Sequence, residues 1–133
     1  MAALIDSSVF IAGERGQLEL ADLLESLGGE PLALSAVTAS ELLYGMHRTR
    51  TIAQRNRRNA YVEAIFAQMT VIAFDLAVAR VHSALSAELD RTGRQIGAHD
   101  LMIAATAMAH DYRVATRDQR SFSRIPGLET VSI

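Results

Sequence analysis

Five short apolar runs set the tightest limit on how this chain can fold. They lie at residues 2–6, 32–35, 70–73, 113–116 and 128–132, and stretches of helical periodicity separate them. The first run, ending at Asp6, is short and apolar enough to be a strand buried on both faces. Helical patterns follow at 17–27, 38–47, about 51–68, about 75–92 and 99–110. The segment 99–110, HDLMIAATAMAH, is apolar nearly all the way round, which predicts a helix buried on most of its surface. Strands that alternate with helices predict a parallel sheet with helices on its faces. In such sheets ligands bind beyond the carboxyl ends of the strands.

A chain of 133 residues, half of them hydrophobic, has room for one well-filled domain, and residues 1–133 are read as a single one. Cysteine is absent, so disulfides and thiolate metal sites are excluded. No apolar stretch approaches the ~20 residues of a membrane span, and the N-terminal run is too short for a signal peptide. The expectation is a cytoplasmic protein with no membrane partner. The formal net charge of −2 does not announce a nucleic-acid binder, but all thirteen basic residues are Arg. Arg48, Arg50, Arg55, Arg57 and Arg58 form one cluster; Arg113, Arg117, Arg120 and Arg124 form another.

Four carboxylates fall where a parallel sheet places its functional rim. Asp6 ends the first run and is also a good helix N-cap. Glu41 lies in TASE, where Thr38 and Glu41 match a capping box. Asp100 opens the apolar helix, where the helix dipole favours an acid. Asp118 follows the run at 113–116, in a post-strand turn that suits Asp. Each has an ordinary structural explanation. Together, in a parallel sheet, all four converge on one rim. Crowded carboxylates repel, which raises some of their pKa values unless a cation intervenes. Oxygen donors without Cys or clustered His suit Mg²⁺ or Mn²⁺, ions that activate water for attack on phosphorus.

The segments LIDSSVFIA, SAVTASELLYG, GAHDLMIAATAMAH and VATRDQRSFSRIPGLE, in this order and spacing, resemble a PIN-domain ribonuclease, and more narrowly a VapC-type toxin. The resemblance covers essentially the whole chain. It implies a three-layer α/β/α fold with a central, mostly parallel sheet. It implies that Asp6, Glu41 and Asp100 are catalytic, metal-binding acids and that Asp118 stands at the fourth, less dependable acidic position. Ser7 and Thr116 match polar positions that support the acids or a bound water. It further implies Mg²⁺- or Mn²⁺-dependent endonucleolytic cleavage of RNA, a homodimer, and a VapB-type antitoxin whose C-terminal segment blocks the site. Operator DNA would be reached only through that antitoxin. One position departs from the pattern: Ser121 stands before the closing Phe, where relatives often carry an acid.

The arginine cluster at 48–58 suits an RNA backbone or an acidic part of the antitoxin. Arg117 and Arg120 flank Asp118 and are candidates for phosphate contact. Without the charge of the four site acids the net charge is +2, which tolerates RNA. His47 and His110 lie near predicted helix C-termini, where the dipole favours them. His82 reads as a helix-surface residue. His99 neighbours Asp100 and reads as a loop or cap residue, with contact to substrate or metal-bound water as the alternative. Tyr61, Phe66, Met102 and Met108 read as core or dimer-interface residues.

Other strand-end acid chemistries fit less well. A phosphotransfer receiver domain needs a Lys, and this chain has none; a haloacid-dehalogenase-type phosphatase needs DxD, and residue 8 is Ser. A catalytically weak RNA-binding or antitoxin-binding module on the same fold is the remaining alternative to an enzyme.

Overall fold

The computed structural model describes residues 2–133, except for the side chain of Leu24. Five strands, β1 (Ala3–Ile5), β2 (Leu32–Ser35), β3 (Thr70–Ile72), β4 (Arg113–Thr116) and β5 (Thr130–Ser132), form one sheet in the order β3-β2-β1-β4-β5. Every pairing is parallel, with Ala3 opposite Leu32 on one side of β1 and Ile5 opposite Ala115 on the other. The chain builds outward from β1 to β3, then returns to place β4 and β5 on the other flank. The direction therefore reverses between β1 and β4, and the carboxyl ends of those two strands bound the crevice where such sheets bind ligands.

Six helices cover the sheet: α1 (Ser7–Glu14), α2 (Leu20–Ser26), α3 (Ala36–His47), α4 (Ile52–Gln68), α5 (Leu76–Arg91) and α6 (Ala98–Ala109). Side chains on a strand alternate between faces, and that alternation divides the core. Ala3, Ile5, Leu34 and Ala115 pack with Val9, Phe10, Leu23, Leu42, Val62 and Ile65 from α1 to α4. Leu4, Ala33 and Val114 pack on the opposite face with Leu85, Leu89, Ile103, Ala104 and Ala107 from α5 and α6. The result is the expected three-layer α/β/α arrangement. Phe10, Leu4, Ile5 and Ile103 are fully buried, each worth about 1.5–3 kcal/mol in area removed from water. In α6 the unbroken burial of residues 103–107 follows from its composition.

The largest local difference from the sequence reading is at the start of α3. Thr38 is not the N-cap. Ser35, the last residue of β2, has extended backbone (ψ 156°) and its Oγ accepts the Thr38 amide at 3.0 Å. Ser35 ends the strand and caps the helix at once, so the helix begins two residues before Thr38. Glu41 then lies in the second turn, too far along to complete a capping box. Its carboxylate is released from structural duty. Asp6, read as a possible helix N-cap, does precede a helix, α1. The pattern at 17–27 shortens to α2, because Gly16 turns the chain with φ 74° before Leu18 packs on the core. Among the described residues no helix is long and apolar enough to cross a membrane.

Candidate active site

Asp6 leaves β1 at its carboxyl end, where its amide donates to Ala115 O at 3.0 Å and fixes it against β4. Its backbone caps α1, but its side chain makes no capping bond. Instead Oδ2 accepts from Ser8 Oγ at 2.7 Å and from Thr116 Oγ1 at 2.9 Å. Ser8 in turn accepts the Arg117 amide at 3.1 Å, and Thr116 accepts the Asp118 amide at 3.0 Å. Two hydroxyls thus hold one carboxylate oxygen and bind the ends of β1 and β4 together. Asp6 is only 5% exposed and Thr116 is fully buried, so these bonds form away from bulk water.

Glu41 projects from α3 toward the same rim. Ser7 Oγ donates to its Oε2 at 3.3 Å, while Oε1 is buried without a hydrogen-bond partner among the described residues. His99 Nδ1 lies 3.7 Å from Oε1. Burial raises the pKa of Glu41, and the negative charges of Asp6 and Asp100 raise it further; His99 and Ser7 oppose them. Asp100, in the first turn of α6, is raised by burial and by the charges of Asp6 and Asp118, against the Ser121 hydroxyl and His99. The three acids therefore feel one another across the crevice, although they come from β1, α3 and α6.

Asp118 is placed differently. Its carboxylate is half exposed and engaged by its own neighbour: Arg120 Nε reaches Oδ1 at 3.2 Å and Nη2 reaches Oδ2 at 3.4 Å. That pairing holds its pKa below the usual carboxylate range. Arg120 is correspondingly occupied, and the Arg117 side chain is exposed. Sequence reasoning assigned no role to Ser8, which holds Asp6, and treated Ser121 only as a departure from pattern. A serine two residues after a strand-end acid, at the start of a helix, was the available signal for Ser8.

A groove of about 930 Å³ runs between α1, α3 and α4. Ser7 and Glu41 line it, as do Phe10, Tyr44 and Arg48. From Glu41 to Arg48 is seven residues of α3, about 10 Å. Arg50, Arg57 and Arg58 also line the groove, and Arg58 pairs with Glu14 across it. At Gly45 a Cβ would fall 2.6 Å from Arg58 Nη1, so a larger residue would make the end of this arginine shift.

Among the described residues no three His, Asp or Glu side chains close around a point as a ready-made cation site. The donor set nevertheless suits a hard dication. It offers mutually repelling carboxylates, partly removed from water, and a buried Glu41 Oε1 with no hydrogen-bond partner among the described residues.

Comparison with known proteins gives the family. The PIN domain family matches residues 3–128. The chain is 31% identical to Ribonuclease VapC1 of Rickettsia felis over all 133 residues and 97% of that protein. It is 34% identical to Ribonuclease VapC5 of Mycobacterium tuberculosis over 99% of this chain and 93% of that one. The crystal structure of DNA-bound VapBC from Salmonella typhimurium superposes with a TM-score of 0.88 at 26% identity, covering 99% of this chain and 98% of the other. The chain is a PIN-domain protein; within that class it belongs to the VapC ribonucleases.

Proposed function

We propose that this chain is a Mg²⁺- or Mn²⁺-dependent endoribonuclease, the toxin of a type II toxin–antitoxin pair, which cleaves RNA to arrest growth. The observation that carries the reading is the meeting of Asp6, Glu41 and Asp100 from three separate elements, with one buried carboxylate oxygen lacking a hydrogen bond among the described residues.

Asp6, Glu41 and Asp100 would hold the cation, with Asp118 assisting directly or through water. A bound dication supplies a lowered pKa for attacking water and charge stabilisation at the leaving oxygen. The chain's own part is positioning. Ser8 and Thr116 hold Asp6 by one oxygen and leave the other without a hydrogen bond among the described residues. Ser7 orients Glu41 so that Oε1 is the free atom. Burial first, and the neighbouring acids after it, raise the pKa values of Glu41 and Asp100, so their charged forms are disfavoured in a way that a bound cation would relieve. Arg117 stands beside the rim for an RNA phosphate; Arg120 serves the same end while bracing Asp118.

The groove along α1, α3 and α4 receives a segment of a VapB-type antitoxin, which excludes RNA. Operator DNA is bound only through that antitoxin, and the free toxin is a homodimer in the cytoplasm. The test is cleavage of total RNA by purified, antitoxin-free chain with Mg²⁺ or Mn²⁺, mapped by end sequencing, with Asp6→Ala as the control. Cutting in both samples, or in neither, would sink the enzyme reading and leave the weakly catalytic binding module.

A further inference from the structure

His99 belongs to this chain's site in a way that the four-acid pattern does not anticipate. It occupies the second position of α6, directly before Asp100, and its imidazole is 62% exposed. Its Nδ1 is 3.7 Å from Glu41 Oε1. That is beyond the ~2.7–3.2 Å of an N–H···O bond, so the two atoms face each other without bonding. Oε1 is at the same time the buried oxygen that has no hydrogen-bond partner among the described residues. A buried acceptor left without a donor is costly, and the ring beside it is largely exposed. Two donors that share one cation at about 2.0–2.2 Å lie roughly 3 Å apart when adjacent in its shell. A small swing of the exposed ring reaches that separation.

We propose that His99 Nδ1 and Glu41 Oε1 ligate the same cation, making this a mixed nitrogen–oxygen site that favours first-row transition dications over Mg²⁺. The proposal rests on the reading of the acids as a cation site. Its physical basis is ligand preference: Mg²⁺ takes oxygen donors and keeps its water, whereas imidazole binds transition dications well. Successive residues on a helix point in different directions, so His99 and Asp100 approach the crevice from different sides while sharing one rigid turn.

The experiment uses the full chain, with Mn²⁺ alone as the probe, read by pulsed electron paramagnetic resonance and by calorimetric titration against Mg²⁺. Nitrogen hyperfine coupling to bound Mn²⁺ is expected in the wild type and absent in His99→Ala. The same substitution should weaken Mn²⁺ by on the order of tenfold and Mg²⁺ by less than about twofold. Circular dichroism establishes that the variant is folded. Mn²⁺ bound with no nitrogen coupling in the wild type overturns the His99 proposal alone, as does equal weakening of both metals. Absence of Mn²⁺ binding, or binding indifferent to Asp6→Asn, overturns the cation site and the proposal with it.

Discussion

The two ends of β4 handle charge in opposite ways. At its amino end, Arg113 Nη2 meets Glu30 Oε1 at 2.9 Å, with both side chains about one-fifth exposed. Opposite charges are matched there, although Glu30 Oε2 and Arg113 Nε have no hydrogen-bond partner among the described residues. At its carboxyl end, Thr116 supports Asp6 beside Glu41 and Asp100, and like charges are held close. One end uses charge to tie the loop before β2 to the sheet. The other keeps charge uncompensated at a cost to the fold. Such a cost is typical of functional sites, where local rules are broken and the rest of the structure compensates.

Breaking each end should therefore have opposite consequences. The largest effect is on activity: Asp6→Ala should lower RNA cleavage by about 10³-fold and abolish growth arrest, with circular dichroism unchanged. Glu30→Ala should do the reverse. Leaving Arg113 unpaired should cost about 2 kcal/mol in urea denaturation, below the range for fully buried pairs because solvent reaches this one, and cleavage per folded molecule should not change. Thr116→Val keeps the shape and removes the donor to Asp6 and the acceptor for the Asp118 amide. It should cost about 1 kcal/mol of stability and reduce cleavage about tenfold, a coupling that Glu30→Ala lacks.

The smallest expected effect is the most direct reading of the contrast. Glu41 and Asp100 hold protons more readily folded than unfolded, since their pKa values are raised above 4.5 and 3.8. Their penalty is complete above the raised values and vanishes below the ordinary ones. Metal-free protein should therefore gain melting temperature from these two groups as pH falls from neutrality toward 4.5. Asp100→Asn should flatten that slope and raise the melting temperature at neutral pH by about 1–3 °C. A melting temperature that falls in Asp100→Asn would show that the rim is not under electrostatic strain.

The layered fold was readable because it depends on patterns that survive in one dimension. The run at 113–116 becomes β4 with unchanged bounds, and the all-round apolar helix is buried as its composition requires. Glu41 was harder. Thr38-x-x-Glu41 satisfies a local capping rule, and only the extended backbone at Ser35 shows that the cap lies three residues earlier. Sequence spacing cannot tell which of two hydroxyl residues ends a strand. The bond from Ser8 to Asp6 had only a faint local signal, and the approach of His99 to Glu41 had none. The first depends on which way α1 leaves β1, and the second joins helices 58 residues apart in sequence. Asp118 was legible as a strand-end acid, but its engagement by Arg120 is a choice of rotamer.

The placement of β1 has a consequence for how the protein is made. Asp6 is synthesised 110 residues before Thr116, one of the two hydroxyl residues that hold it. Until β4 inserts, one edge of β1 has no partner and Asp6 has only its local bond from Ser8. Domains assemble from the N-terminal side during synthesis, and contacts this distant in sequence form late. A chain that stops short of β4 therefore carries Asp6, Glu41 and Asp100 without the strand that completes their rim.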